Sequence, residues 1–177
     1  ILVIPVLVVL YNVPETTLSS YTRDITATVL FIAAAVTDWF DGWLARKTGQ
    51  TSSFGAFLDP VADKLLVCAA LLLLLELGRV GGLVALIIIG REITISALRE
   101  WMANLGKHAN IAVNWLGKLK TTVQLIAIPF LLYHETLFGL FHTAAPGRLL
   151  IILAAFLTVW SMAYYLWLAR HQFFDKA

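Results

Sequence analysis

Long apolar runs separated by short polar connections are the feature that most constrains the fold of this chain. Of its 177 residues, 60% are hydrophobic and 14% are charged, and the mean hydropathy is +0.83. A soluble domain is about 45–50% apolar and about 25% charged. The composition therefore disfavours a disordered chain, a nucleic-acid-binding module and a secreted disulfide scaffold, and it predicts an integral membrane protein.

The number of apolar runs predicts the architecture. One membrane span needs about 20 apolar residues, so a chain of this length accommodates about six spans. We predict an all-α, single-domain bundle of six transmembrane helices with short antiparallel connections. The first helix is expected to be truncated, because Ile1 already lies inside an apolar run. The predicted helices cover residues 1–13, 22–47, 52–77, 82–104, 111–133 and 148–170.

The distribution of cations predicts the orientation. Of the 13 Lys and Arg residues, all but Arg23, Arg79 and Arg148 lie in or nearest to the side formed by the 47–53 turn, the 104–110 turn and the C-terminus. Because cytoplasmic loops are enriched in Lys and Arg, this side is predicted to face the cytoplasm. The net charge of +2 is too small to indicate an anionic macromolecular partner.

Four aspartates interrupt the apolar pattern close together: Asp38, Asp41, Asp59 and Asp63. Each carboxylate at membrane depth costs at least about 2.5–3.5 kcal/mol, and the four also repel one another. Bound divalent metal is the most economical compensation, although helix ends and two nearby cations are a structural alternative. Oxygen ligands favour Mg²⁺ or Mn²⁺ over Zn²⁺, and four carboxylates suit two ions that assist displacement at phosphorus.

The spacing of these aspartates places them on two facing helices. Asp38 and Asp41 are three residues apart and share one helical face, whereas Asp59 and Asp63 are one turn apart on the next helix. Pro60 leaves two possibilities open: a helix that runs through the proline, or one that begins with Asp59 as its N-cap.

Small residues and one cation accompany the aspartates. Gly42 and Ala45 continue the face of the first aspartate pair with almost no side chain, so a phosphate or nucleotide could approach the backbone there. Arg46 could pair with a phosphate bidentately, or it could be an interfacial anchor whose head reaches water.

The pattern Asp38-x2-Asp41-Gly42-x2-Ala45-Arg46-x8-Gly55-x3-Asp59-x3-Asp63 resembles the signature of the CDP-alcohol phosphatidyltransferases at all eight fixed positions. Three later segments, over residues 91–93, 97–101 and 117–121, resemble the branch formed by the bacterial phosphatidylglycerophosphate synthases. Family members also carry a Pro-Asn…Thr…Arg segment before and into the first helix, and this sequence begins after that point.

The resemblance implies a homodimer in the bacterial inner membrane, with a cytoplasm-facing cavity open to membrane lipid. It implies that glycerol 3-phosphate attacks CDP-diacylglycerol to give phosphatidylglycerophosphate and CMP. Alternatives are a family member with another acceptor, such as inositol phosphate or serine, or a divalent-metal transporter.

The resemblance also implies residue roles. The four aspartates would bind two Mg²⁺ or Mn²⁺ ions, and Asp63 would also be the general base. The residues implied in CDP-diacylglycerol binding are Gly42, Ala45, Arg46, Ser52 and Gly55; for Ser52, a plain helix cap is the alternative.

Cations deep in the later helices predict a site for the acceptor's phosphate. Arg91 lies about 18 Å from the cytoplasmic end of its helix and needs an anion, either Glu92 or the acceptor. Lys118 and Lys120 are two residues apart and point to nearly opposite sides, so at most one faces the cavity, and we favour Lys118. Arg99 is a further candidate, with pairing to a nearby glutamate as its alternative.

Overall fold

The computed structural model describes residues 2–48, 53–104, 115–137 and 139–174. In these ranges the chain forms six α-helices and one short β-hairpin. The helices are α1 (Val3–Asn12), α2 (Ser20–Thr48), α3 (Ser53–Glu76), α4 (Gly82–Asn104), α5 (Trp115–Tyr133) and α6 (Ala144–Phe174). The predicted six-helix organisation is therefore confirmed for the described residues.

The starts of helices α3 and α6 differ from what the sequence predicted or left open. Because α3 begins at Ser53 and continues through Pro60, the possibility that Asp59 is the N-cap of this helix is wrong. Helix α6 begins at Ala144, four residues before the predicted start, and so includes Pro146 in its first turn. Proline is tolerated there because the first backbone N–H groups have no intrahelical acceptor.

A short β-hairpin, with two residues in each strand, differs from the all-α prediction. Strand β1 (Thr136–Leu137) pairs antiparallel with β2 (Phe141–His142) between α5 and α6. Gly139, with φ 73°, supplies the left-handed backbone conformation of the turn. A hairpin this short contains too few residues for an alternating pattern, so periodicity could not predict it.

The hydrophobic core lies in the half of the bundle where α1 meets α2 and α3. Its residues are spaced as on one face of a helix: Leu71 and Leu74 of α3 and Ile128 and Leu131 of α5 are fully buried. Phe31 is fully buried in the same cluster. Helix α5 packs most extensively against α6 and also against α2. Helix α2, which carries Asp38 and Asp41, is therefore packed against α5.

The outer surface is rich in large apolar side chains. Val29, Val36, Ile152 and Phe156 are all exposed, which is the arrangement expected of a protein surrounded by lipid. Among the described residues, one segment, Ala144–Tyr164, is long and apolar enough by length and composition to cross a membrane. Ionisable residues in α2 to α4 lower the mean hydropathy of those helices.

A buried ion pair joins four elements at the core end of the bundle. Arg79, in the α3–α4 connection, donates to Asp24 of α2 at 2.6 Å. The Tyr11 hydroxyl of α1 donates to the other oxygen of the Asp24 carboxylate at 2.7 Å. Arg79 also donates to the carbonyls of Leu131 and Leu132 at the end of α5. Arg23 and Arg79, predicted to lie on one side, thus occupy the same end of the bundle.

Candidate active site

A cavity of about 360 Å³ opens among α2, α3, α4 and α5, away from the hydrophobic core. Its walls combine apolar residues with a set of polar side chains from all four helices. The polar lining residues are Asp38, Asp63, Lys64, Glu92, Thr121 and Gln124. Several charged groups in one concave site are typical of a binding or catalytic site rather than of packing.

The cavity brings together aspartates from both halves of the signature. Asp38, from α2, is half-buried, and Asp63, from α3, is exposed to the cavity. Asp41 lies one turn beyond Asp38 and is exposed. Asp59 lies one turn before Asp63 in α3, and its side chain is outside the described part of the structure. Asp38 of α2 and Asp63 of α3 therefore line the same cavity, and the place of Asp59 beside them stays a prediction.

The donor chemistry of this wall fits a hard divalent cation. Asp38 and Asp63 offer carboxylate oxygens from two helices to the same cavity, and these are the ligands that Mg²⁺ and Mn²⁺ prefer. Within the described side chains, no three metal-ligating residues converge. The metal site thus remains a prediction that needs the side chain of Asp59 for its completion.

The residues implied in nucleotide binding belong to the end of α2, to the start of α3 and to the segment between these helices. Gly42, Ala45 and Arg46 belong to the last turns of α2, and Gly55 belongs to the first turn of α3. Their side-chain environments lie outside the described structure, as does Ser52 entirely. Their assigned roles stay predictions.

A buried charge cluster forms the wall of the cavity contributed by α4 and α5. Arg91 donates to Glu92 Oε1 at 3.0 Å, and the Lys120 ammonium contacts the same oxygen. Arg91 also donates to Ser161 Oγ of α6 at 3.4 Å. The Arg91 and Lys120 side chains are each 5% exposed, whereas that of Glu92, which lines the cavity, is 18% exposed. The cluster therefore presents its carboxylate to the cavity with two cations behind it.

The contacts of Arg91 can be compared with the predicted site for the acceptor's phosphate. Glu92 is the anion that meets Arg91 in the structure, which is one of the two alternatives left open by the sequence. The side chains of Lys118 and Arg99 lie outside the described part, so their predicted roles are untested. Sequence reasoning favoured Lys118 and did not assign a role to Lys120, because the spacing excludes one of the two lysines without identifying which.

An apolar groove continues from the polar cavity along α2 and α5. It measures about 290 Å³ and is lined by Phe31, Ile32, Val36 and Pro129. Ala35 and Leu125 line both the groove and the cavity, so the two spaces are adjacent. Nothing in the sequence pattern indicated this groove, since its residues resemble any other lipid-facing or core positions.

A helical bundle with an apolar surface, a carboxylate-lined cavity and an adjoining apolar groove is the arrangement expected of an enzyme that works in a membrane. The chain belongs to the CDP-alcohol phosphatidyltransferase family, whose model matches residues 1–164. It is 45% identical, over an alignment of 178 positions, to the CDP-diacylglycerol–glycerol-3-phosphate 3-phosphatidyltransferases of Escherichia coli strain K12 and Escherichia coli O157:H7. A protein of the same name from Shigella flexneri serotype 5b is also 45% identical. Each alignment covers 99% of this chain and 93% of the relative.

Proposed function

We propose that this chain transfers the phosphatidyl group of CDP-diacylglycerol to glycerol 3-phosphate, producing phosphatidylglycerophosphate and CMP. The observation that carries the proposal is the cavity lined by Asp38 and Asp63 together with Glu92, the carboxylate that Arg91 and Lys120 contact. The names and 45% identity of the bacterial relatives support the same reaction. A phosphorylated acceptor requires cations, and the cluster supplies two of them.

Asp63 is the proposed general base. Its carboxylate lines the cavity, so it can accept the proton of the acceptor's 1-hydroxyl as that oxygen attacks the lipid-bearing phosphorus. The new oxygen–phosphorus bond forms while the bond from this phosphorus to the bridging oxygen breaks. CMP leaves with the bonding electron pair, and the phosphatidyl group stays on the acceptor.

The aspartates also provide the proposed metal ligands. Asp38, Asp41, Asp59 and Asp63 would hold two Mg²⁺ or Mn²⁺ ions. Bound there, the ions would neutralise the pyrophosphate and the charge that develops on the departing CMP. The carboxylates from α2 and α3 therefore orient the donor as well as deprotonating the acceptor.

The lipid donor fits the two adjacent spaces. Its nucleotide end would lie near the end of α2 and the start of α3, and the proposed contacts are Gly42, Ala45, Arg46, Ser52 and Gly55. An acyl chain would extend along the apolar groove past Ile32 and Val36. Because Ala35 and Leu125 line both spaces, the reacting phosphorus would lie close to this junction.

The acceptor would bind against the wall formed by α4 and α5. Arg91 and Lys120 are the described cations there, and Lys118 and Arg99 are further candidates. The two cations that contact Glu92 support a phosphorylated acceptor over serine.

We also propose that all six helices belong to a single domain that crosses the bacterial inner membrane, with the cavity facing the cytoplasm and the protein working as a homodimer.

CMP release from CDP-diacylglycerol by the purified protein with Mg²⁺ tests the proposal. Glycerol 3-phosphate, serine and inositol phosphate are offered separately. We expect release with glycerol 3-phosphate alone and a loss of at least about 100-fold in Asp63→Asn, because the base is removed. Glu76→Gln, an exposed carboxylate in the same helix, is the matched control and should retain activity.

Release with a different acceptor would contradict the acceptor assignment but leave the phosphatidyl transfer intact. Full activity in Asp63→Asn would contradict the role of Asp63. No release with any acceptor would contradict the proposed function as a whole.

A further inference from the structure

The residues that line the cavity form two layers along α2, α3 and α5. The first layer is polar and contains Asp38, Asp63 and Thr121. The second layer lies one helical turn, or about 5.4 Å, closer to the hydrophobic core. Its described members are Ala35, Leu66, Val67, Gln124 and Leu125. Among these described members, Gln124 alone has a polar side chain, so one amide lies where its neighbours are apolar.

The Gln124 side chain is buried and has no internal partner. The residue is 4% exposed, and it lines the cavity. Within the part of the chain that the structure describes, no hydrogen bond joins its amide to another residue. Because a buried amide without a hydrogen bond is destabilising, Gln124 is suited to a ligand that supplies this bond.

The apolar groove begins at the layer of Gln124. Ala35 and Leu125 line both spaces, and the groove continues past Ile32 and Pro129. From the first layer towards the core, the site therefore offers charged groups, then a neutral amide, then hydrocarbon. The diacylglycerol part of the donor has the same order, with a charged phosphate, then ester groups, then acyl chains. The Gln124 amide thus lies at the level of the esters.

We propose that Gln124 donates a hydrogen bond to an acyl-ester carbonyl of the lipid donor, and that it thereby makes the enzyme selective for ester-linked lipid. This inference rests on the proposed function, since it assigns a specificity-determining residue to the donor's site. An ester carbonyl accepts hydrogen bonds and donates none, and the glutamine NH2 group is a donor. A neutral donor suits this depth, because a charged one is costlier to bury.

An ether-linked analogue of the donor tests the part played by the carbonyl. It carries CH2 in place of each ester C=O and keeps the phosphates and the chains, so its binding leaves the Gln124 amide buried without a partner. A site built to hydrogen-bond a substrate rejects an analogue that lacks the bonding group. We expect the wild type to have a KM about tenfold or more lower for the ester lipid than for the ether lipid.

The variant Gln124→Met keeps the length of the side chain and removes the amide. Comparing two proteins with two lipids isolates the interaction between the amide and the carbonyl. We expect the KM for the ester lipid to rise about tenfold, and its advantage over the ether lipid to fall below about threefold. The KM for glycerol 3-phosphate should change less than about threefold, because Gln124 does not contact the acceptor.

Two measurements do not depend on turnover. The Kd of each lipid in detergent micelles, without glycerol 3-phosphate, should show the same loss of ester preference. Without lipid, Gln124→Met should have a melting temperature equal to or above that of wild type, because no internal hydrogen bond is lost. The matched control is Ile126→Met, at an exposed position of the same helix, which should keep the ester preference.

An ester preference that is absent from wild type, or that persists in an active Gln124→Met enzyme, would overturn the inference while the proposed function stands. A higher KM for glycerol 3-phosphate with an intact ester preference would also overturn it and place Gln124 in the acceptor's site. A markedly lower melting temperature of the variant without lipid would overturn it by revealing an internal role. If wild type releases no CMP from either lipid, the proposed function fails, and the ratio of the two Kd values alone decides the inference.

Discussion

The buried pair of Asp24 and Arg79 allows a sharp prediction about stability. Asp24 accepts from Arg79 at 2.6 Å and from the Tyr11 hydroxyl at 2.7 Å, and its side chain is 6% exposed. The substitution Asp24→Asn preserves the shape of the side chain, removes its charge and replaces one of its two acceptor oxygens with an NH2 donor. It leaves the Arg79 guanidinium at the end of α5 without its counter-ion.

The expected loss in the free energy of unfolding follows from the burial of this ion pair. Removing one partner of a buried pair costs about 3–5 kcal/mol, because the other charge stays buried without compensation. Since Arg79 keeps its bonds to the carbonyls of Leu131 and Leu132, we expect the lower end, about 3 kcal/mol. For a chain of this size that corresponds to a melting temperature about 6–12 °C lower.

A second Arg–carboxylate pair at the same end is the matched control. Arg23 contacts Glu15 at 2.9 Å, but the Glu15 side chain is 76% exposed. An exposed pair contributes about 0–1 kcal/mol, so Glu15→Gln should lower the melting temperature by at most a few degrees.

Thermal unfolding of both variants in the same lipid nanodiscs measures the difference. CMP release at low temperature should stay near wild type in both, because the pair lies at the end of the bundle opposite the cavity. Equal shifts for the two variants, or a loss below about 1 kcal/mol for Asp24→Asn, would refute the argument from burial.

Three further predictions concern the metal, the lipid groove and pH. Chelation of divalent ions should abolish CMP release, and Mg²⁺ or Mn²⁺ should restore it; activity that persists in chelator would contradict the metal assignment. Ile32→Trp should fill the apolar groove and raise the KM for long-chain CDP-diacylglycerol severalfold but leave a short-chain analogue unaffected, whereas Val159→Trp on exposed α6 should change neither. Burial and the charge of Arg79 lower the pKa of His134, in the connection between α5 and α6. Protonation of His134 is therefore harder in the folded state, and stability should fall as pH drops through about 6.5, the unfolded-state pKa. His134→Asn, which tolerates the positive φ of 50°, should flatten that dependence in unfolding measured between pH 5 and 7.5.

The sequence determined the helical organisation and the aspartate motif. Long apolar runs with short breaks allow little except a helical bundle, because every backbone polar group in lipid needs an internal partner. The spacing of Asp38, Asp41, Asp59 and Asp63 is a local property of two consecutive helices, so helical geometry predicts one pair on each helix, and Asp38 and Asp63 do line one cavity. The family, too, was visible in these positions, and the match over residues 1–164 confirms it.

Contacts between residues distant in sequence were decided by the tertiary structure alone. Glu92 and Lys120 are 28 residues apart, and Asp24 and Arg79 are 55 apart, and no periodicity links such pairs. The sequence could exclude one of Lys118 and Lys120 from the cavity, but which lysine reaches Glu92 depends on how α5 is rotated against α2 and α6. The same rotation places Leu125 beside Ala35 and so joins the apolar groove to the polar cavity. Helix rotation is set by the packing of whole faces, which a single helix does not encode.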